Sequence, residues 1–426
     1  MSKFTFKLKS SKKPKDDDRF HIVIAPAISI AQFFGLLPIV GISSKNIKDI
    51  KFKLYSIRTL HTSFWFLSGF IFLYLETVRL VNVEHFNAQS VGGIAFFATG
   101  IISSLLYLRI AYKWSELLQM YKEVDDIFCS ELYTLSGWSL KKQIKFASIT
   151  LLLFAFLEHV CFWYSFLFDI YMQAEVCNWQ IESWFYHIFR LHLKNIFDVF
   201  PVNIVFIMWA VYMNVSFTFA WNYVDLFIII MSLSIASKFR MINERLNGFK
   251  GRILTDTYWE EIRRHYSKIC ELNDYIGDNI GSLICVACLG DLYSICMQLL
   301  KVTNPLLYPA SKIYFWLSTL FLIARTLSMF LITASVNEEA LKPLLVFRAI
   351  PGDGWFPQVR RFCNQIQHNS AALSGRKFFF LNRSTIISIT GTVITYELVL
   401  LQFDRNGGPQ EVFDPCGGIY NQTISY

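Results

Sequence analysis

Seven long apolar runs constrain this chain more than any other feature of its sequence. Each can cross a bilayer, since a helix needs about 20 apolar residues to span about 30 Å of hydrocarbon. The chain has 426 residues, 54% of them hydrophobic and only 17% charged, whereas soluble domains average about 25% charged. An all-α membrane protein with seven transmembrane helices is therefore predicted. The runs are Ile57–Leu80, Val91–Tyr112, Ile144–Phe168, Phe197–Ser237, Ile280–Leu300, Ile313–Ser335 and Phe378–Phe403.

Two apolar segments leave a choice of structure. The fourth run is too long for one simple span, so we predict one span that continues as a cytoplasmic helix; two spans joined by a tight turn are the alternative. An eighth run, residues 20–42, contains Pro26 and Pro38 and has basic residues on both sides. Because a crossing would leave one basic cluster outside, a re-entrant or interfacial segment is predicted there.

The distribution of basic residues predicts the orientation. With the N-terminus inside, 33 of the 40 Lys and Arg residues lie in cytoplasmic segments and 6 lie outside, as the positive-inside rule requires. The basic leader, residues 1–19, is then cytoplasmic and the tail, residues 404–426, is extracellular. An external tail makes Asn421, in an Asn-Gln-Thr sequon, a candidate glycosylation site. It also places Cys177 and Cys416 outside, where they either pair or remain two thiols.

The sequence carries no pattern typical of an enzyme or of a cofactor site. It contains no GxxxxGK[ST], HExxH, GxSxG or GxGxxG motif, which are the common nucleotide, metal and nucleophile signatures. The pair Cys285 and Cys288 has zinc-ligand spacing but lies in an apolar run without a second pair. We therefore predict neither catalysis nor a bound metal or cofactor.

A few polar side chains inside the spans are candidates for ligand binding. Asp291 and Arg325 lie at similar depth on consecutive spans, which predicts an ion pair that is either structural or the polar floor of a ligand pocket. Gln298 lies about two turns outward of Asp291. The aromatic residues at the outer ends of the spans either form an interfacial belt or stack on a sugar, and the tryptophans considered for stacking are Trp163, Trp209 and Trp316.

Several sequence stretches resemble one known family. Thr395-Tyr396 is followed by five mostly apolar residues and Gln402-Phe403, which resembles the TYhhhhhQF signature of insect gustatory receptors. Glu397 occupies the first variable position, as in the sugar-receptor branch. Further resemblance to that branch lies in the stretches Ala31–Pro38, Glu158-His159, Phe219–Phe227, Lys238–Asn243, Tyr314–Ser318 and Arg325-Thr326.

The resemblance implies the insect chemoreceptor channel fold and a sugar-gated, non-selective cation channel in the plasma membrane of taste neurons. It implies a sugar pocket in the outer half of residues 57–377 and a pore lined by residues 378–403. The assembly that the resemblance implies is a homotetramer, or a hetero-oligomer with other gustatory receptors, in membrane lipid. The ligand that it implies is a mono- or disaccharide. A transporter and a G-protein-coupled receptor for a small polar ligand are the alternatives, although the charge asymmetry opposes the latter.

The end of the last span is the predicted gate. Four copies of this helix would surround one axis, where a hydrophobic ring closes a pore and polar side chains line it. We predict that Phe403 closes the pore and Gln402 lines it when open, with Leu398 and Leu401 extending the apolar constriction. The alternative is that Gln402 bonds between helices and Phe403 packs in the core.

Overall fold

The computed structural model describes residues 18–81, 91–130, 132–177, 188–190, 193–303, 308–368, 371–392 and 395. Helices predominate in this part of the chain, and two short antiparallel strand pairs join them. The strands are β1 (Ile39–Val40), β2 (Lys51–Phe52), β3 (Ser374–Gly375) and β4 (Phe379–Phe380). The helices are α1 (Phe20–Phe33), α2 (Ile57–Val81), α3 (Gly92–Tyr112), α4 (Trp114–Phe128), α5 (Leu140–Val176), α6 (Lys194–Phe197), α7 (Ile204–Asn247), α8 (Asp256–Leu300), α9 (Pro309–Leu341), α10 (Pro343–Phe347), α11 (Pro357–His368) and α12 (383–392).

Six of the seven predicted spans correspond to helices that are long and apolar enough to cross a membrane. The apolar runs locate these helices well but underestimate their length, because several continue into polar sequence. For example, α8 begins 24 residues before the apolar run that starts at Ile280. The six spanning helices among the described residues are α2, α3, α5, α7, α8 and α9.

Helix α7 is the central helix of the bundle and confirms the single-helix interpretation of the fourth run. It extends over 44 residues without a break. It begins at Ile204 rather than at Phe197, because Asn203 caps it by accepting hydrogen bonds from the N–H groups of Val205 and Phe206, both at 3.1 Å. In its most apolar window 83% of the residues are buried, against 6% in α5. The other spans therefore pack around α7.

The last span begins five residues later than predicted. Phe379 and Phe380 belong to β4, which pairs with β3, and the helix starts after Asn382, whose Oδ1 accepts from the Thr385 N–H at 2.9 Å. Hydropathy alone does not separate a short apolar strand from a helix, so the predicted start at Phe378 was wrong. The rest of this predicted span lies outside the described residues after residue 392, except Thr395.

The segment 20–42 contains α1 followed by β1, and its crossing or re-entrant character stays a prediction. Its first helical N–H, that of Phe20, donates to Asp125 Oδ2 of α4 at 2.9 Å. The other oxygen of Asp125 pairs with Lys238 of α7, and both side chains are 3% exposed. The Phe20 and Tyr121 rings stack with centroids 3.6 Å apart. One buried carboxylate thus holds α1, α4 and α7 together.

A second polar network joins the loop after α4 to the polar end of α7 and the start of α8. Arg245 donates to the Tyr133 hydroxyl at 3.0 Å and pairs with Glu261 at 3.1 Å. The Tyr133 hydroxyl lies 2.6 Å from His265 Nδ1. Burial raises the pKa of Tyr133 to about 12 although Arg245 opposes the shift, so the hydroxyl stays protonated within this network.

Cys177 at the end of α5 is disulfide-bonded. The partner considered from the sequence, Cys416, lies outside the described residues, as does the sequon at Asn421. Cys285 and Cys288 are free thiols.

Candidate functional site

A buried arginine at mid-depth of the bundle is the centre of the candidate site. Arg325 of α9 is 3% exposed and faces two carboxylates that are each 1% exposed. Its Nη2 lies 2.7 Å from Asp291 Oδ1 of α8, and its Nε lies 2.7 Å from Asp225 Oδ2 of α7. Its Nη1 donates to Asn222 Oδ1 of α7 at 2.7 Å. The predicted Asp291–Arg325 pair is therefore confirmed, as part of a larger arrangement.

Two further contacts complete what we call the arginine cluster. The Thr326 hydroxyl donates to the second oxygen of Asp291 at 3.0 Å, and the Arg325 guanidinium lies over the Trp221 ring at 4.3 Å. The cluster joins α7, α8 and α9, and its formal charge is minus one because two carboxylates share one guanidinium. Its members are Arg325, Asp225, Asp291, Asn222, Thr326 and Trp221.

Sequence reasoning assigned no role to Asp225, Asn222 or Trp221, although a signal for them exists. A guanidinium has five N–H donors, so one carboxylate leaves a buried arginine under-satisfied. Asp225 is the ionisable residue inside the fourth span, and Trp221 and Asn222 lie three or four residues before it, which places all three on one face of a helix. Searching neighbouring spans for further acceptors would have identified this face.

Outward of the cluster, one face of α9 presents hydroxyl groups to carboxylates of α5. Glu158 Oε1 accepts hydrogen bonds from the Tyr314 hydroxyl at 3.1 Å and from the Ser318 hydroxyl at 2.9 Å. Nearer the outer end, the Ser311 hydroxyl bonds the Asp169 carboxylate at 2.7 Å. This face connects the outer end of α9 to Arg325 through polar groups, at the helical spacing of three, four and seven residues.

Two half-buried polar residues of α8 lie outward of the arginine cluster. Gln298 is seven residues beyond Asp291, about 10 Å further along the same face, and its amide makes no hydrogen bond within the described part of the chain. The hydroxyl of Tyr293 is buried and has no partner among the described residues. A buried hydroxyl without a partner costs free energy, but Tyr293 is two residues from Asp291 and so about 200° around α8 from the cluster, whereas Gln298 lies on the same face as Asp291.

The structure does not bring the three tryptophans considered for stacking to a common surface. Trp163 of α5 donates its indole N–H to His159 at 3.1 Å and packs near Phe189. Trp209 of α7 donates to the Ser68 hydroxyl of α2 at 3.0 Å. Trp316 is 53% exposed, because it is about 200° around α9 from the face that carries Tyr314 and Ser318.

The four residues of the predicted gate cannot be placed in the same way. Leu398, Leu401, Gln402 and Phe403 lie outside the described residues. Among the described residues, no group of three or more His, Cys, Asp and Glu side chains has an arrangement that would hold a metal ion.

Comparison with known proteins identifies relatives over most of the chain. Residues 6–416 match a family described as "Trehalose receptor". The chain is 32% identical to the gustatory receptor for sugar taste 64f of Drosophila melanogaster over 92% of this chain and 82% of that protein. It is 28% identical to the gustatory receptor 5a for trehalose from the same organism, over 92% of this chain and 86% of that one.

A comparison of structures identifies the fold. The chain is similar to the insect olfactory receptor OR5 from Machilis hrabei, solved alone and in complex with eugenol. The match to the eugenol complex has a TM-score of 0.64 and covers 91% of this chain and 100% of the other, at 15% identity. The predicted insect chemoreceptor fold is thereby confirmed.

Proposed function

The chain belongs to the trehalose receptor family of insect gustatory receptors, and from this membership we propose that it is a sugar-gated, non-selective cation channel. Members of this family are receptors rather than enzymes. The observation that carries the proposal is the similarity, over about nine tenths of the chain, to receptors named for sugar taste and for trehalose. The ligand proposed here is a mono- or disaccharide.

The proposed pocket lies in the outer half of the bundle, with the arginine cluster as its floor. Carboxylate and guanidinium groups offer paired acceptors and donors in fixed geometry, which suits neighbouring hydroxyls of a sugar. Gln298, on the same face of α8 as Asp291, supplies a further hydrogen bond above the floor. Trp163 and Trp209 form separate apolar walls, whereas stacking on Trp316 would require a ligand on the other face of α9. A site of this kind rejects a wrong sugar because buried polar groups are then left unpaired.

Removing the Gln298 amide tests the pocket. We expect Gln298→Ala to raise the sugar concentration for half-maximal response about fivefold, since one lost hydrogen bond costs about 1 kcal/mol. The measurement is a dose–response curve at matched surface expression. The control is Met297→Ala, which shortens the neighbouring side chain without removing a hydrogen-bonding amide.

An unchanged midpoint in Gln298→Ala would place the pocket elsewhere. Trp316→Ala tests the stacking part separately, because this ring is exposed on another face of α9. If the sugar concentration for half-maximal response shifts only in Trp316→Ala, the pocket lies on that outer face of the bundle.

The assembly and location follow from the same proposal. Four copies of the chain, or this chain together with other gustatory receptors, would surround a pore lined by the last span. The six apolar spanning helices among the described residues identify a membrane protein, and its proposed location is the plasma membrane of taste neurons. Asn421 is the proposed glycosylation site on the external tail.

The proposed topology has a direct test. The asymmetry of 33 to 6 basic residues predicts Met1 inside and Tyr426 outside. Epitope tags at the two ends should therefore stain differently in intact cells: the C-terminal tag without permeabilisation, and the N-terminal tag only after it. Staining of the N-terminal tag on intact cells would contradict the topology.

A cell line that expresses only this chain tests the function and identifies the sugar. We expect a panel of mono- and disaccharides to include at least one that evokes a cation current within the time of solution exchange, without a requirement for G-protein signalling. A response abolished by G-protein block would favour a coupled receptor. A small current that scales with sugar uptake would favour a transporter.

A further inference from the structure

A small two-stranded ribbon between α1 and α2 concentrates positive charge at one end of the bundle. Strands β1 and β2 pair antiparallel and are joined by a loop that ends in a single 3₁₀ turn, Ile47–Asp49. Four exposed lysines lie along this loop, in β2 and directly after it, and within the described part of the chain none of them forms an ion pair. Asp49, the acidic residue of the loop, accepts from the Ser44 hydroxyl at 2.9 Å. The lysines are Lys45, Lys48, Lys51 and Lys53.

Exposed apolar side chains follow the lysines immediately. Leu54 is 63% exposed, Tyr55 is 94% exposed and Ile57 is 87% exposed. At the start of a membrane span, exposed apolar side chains of this kind are expected to face lipid. We call these three residues and the four lysines the ribbon surface.

The ribbon surface lies at the level where two spans end. It leads directly into α2, and the ring of Phe52 packs 6.2 Å from that of Tyr112, the last residue of α3. Tyr112 is itself 74% exposed. Tyrosine is typical of the membrane–water interface, because its ring is apolar and its hydroxyl is polar. The ribbon therefore lies at the interface on the side where the basic residues concentrate.

The backbone of the ribbon is bonded to both flanking helices, so its lysines project from defined positions. The guanidinium of Arg58 bonds the carbonyl of Ile39 and the side chain of Gln32. Gly41 has φ +77°, and a Cβ there would lie 2.4 Å from the Asp49 carbonyl oxygen, so the turn requires glycine. The surface is thus tied to both α1 and α2.

We propose that the ribbon surface binds the headgroups of acidic lipids in the adjacent leaflet, while Leu54, Tyr55 and Ile57 contact the acyl chains. The charge is complementary: four lysines without acidic partners face a leaflet whose acidic lipids attract basic segments beside a span. A free phosphate or carboxylate would meet only the lysines, whereas one acidic lipid meets both the lysines and the apolar side chains that follow them into the leaflet. The expected occupant is therefore a lipid rather than a soluble anion.

Competition between two lipids tests the proposal without measuring current, so its result is independent of sugar gating. The full chain is purified in neutral detergent and equilibrated with equal amounts of dioleoyl phosphatidylserine and dioleoyl phosphatidylcholine, and retained lipids are counted by native mass spectrometry. Each lysine near an acidic lipid surface raises the binding constant about fivefold. A variant with Lys45, Lys48, Lys51 and Lys53 all changed to Gln should lose at least that factor in its preference for phosphatidylserine.

The control variant removes the same charge from elsewhere on the protein. It changes four exposed basic residues outside the ribbon to Gln and should keep the wild-type preference; they are Lys250, Arg264, Arg360 and Arg361. Should the four-lysine variant not purify, the pairs Lys45→Gln with Lys48→Gln and Lys51→Gln with Lys53→Gln are measured separately, and each should lose part of the preference.

Three outcomes would overturn the proposal. An unchanged preference in the ribbon variants would show that the lysines do not select the lipid. An equal loss in the control would show that only total charge matters. Displacement of phosphatidylserine by glycerophosphoserine, which has the headgroup without acyl chains, would show a soluble-anion site instead.

Discussion

An Arg325→Met variant is expected to be lost from the cell surface. The change leaves Asp225 and Asp291, each 1% exposed, facing one another without a cation. Breaking a buried ion pair by removing one partner costs about 3–5 kcal/mol, and most proteins have only about 5–15 kcal/mol in total. Surface biotinylation and the melting temperature of the purified protein measure the loss. Arg264→Met, an exposed arginine of α8, is the matched control.

A compensated variant separates folding from ligand binding. Changing Asp225→Leu and Asp291→Leu together with Arg325→Met removes all three charges, and replacement of a whole buried ion cluster by hydrophobic residues of similar volume is often neutral for stability. We expect this triple variant to return to the surface and to remain silent to sugar, because the floor of the pocket no longer offers charged groups. Arg325→Met at normal surface levels with an unchanged melting temperature would contradict the account of the cluster.

Phe403→Ala is expected to open the channel without sugar. In the proposal four Phe403 rings form the hydrophobic closure, so truncation lets water and ions enter. A loss of only about 1.4 kcal/mol in the stability of the closed state raises the ratio of open to closed channels about tenfold. The measurement is the sugar-independent current, normalised to surface protein, with Leu400→Ala on the same helix as the control.

Gln402→Leu is expected to have the opposite effect. The two positions are adjacent and point about 100° apart, so a modest rotation of the helix exchanges one ring of side chains for the other at the axis. The substitution replaces the polar lining by an apolar one and should reduce the sugar-evoked current while surface expression is retained. A silent Phe403→Ala together with a normally conducting Gln402→Leu would place the gate in another part of the chain.

The positions of the spanning helices could be predicted from the sequence, because a bilayer imposes a minimum apolar length. The prediction was wrong where an apolar segment pairs with another strand instead of forming part of a spanning helix. Phe379 and Phe380 are apolar, but they pair with Ser374 and Gly375 across a tight turn. Likewise, the charged sequence of α8 before Ile280 is helical because it packs on α11, where the rings of Tyr266 and Phe362 lie 5.1 Å apart.

The site was partly predictable for a related reason. The position of a residue along its span sets its depth in the membrane and can be counted from the sequence. Asp291 and Arg325 could therefore be paired. The rotation of each helix about its axis is set by packing with its neighbours, so Asp225 and Asn222 could be placed beside Arg325 only by searching the neighbouring spans for the acceptors that a buried guanidinium needs. Rotation also explains Trp316: its aromatic character suggested a wall, yet it lies on the opposite face of α9 from Ser318, which bonds Glu158.

Current through a planar bilayer containing only the purified chain tests the central claim most directly. The proposal predicts unitary cation currents that are absent in buffer, appear with the sugar identified in cells, and disappear when it is washed out. Potassium and sodium should both carry them, because a non-selective pore does not distinguish strongly between the two ions. A bilayer that contains the correctly oriented protein and stays silent at saturating sugar would contradict a sugar-gated channel formed by this chain alone.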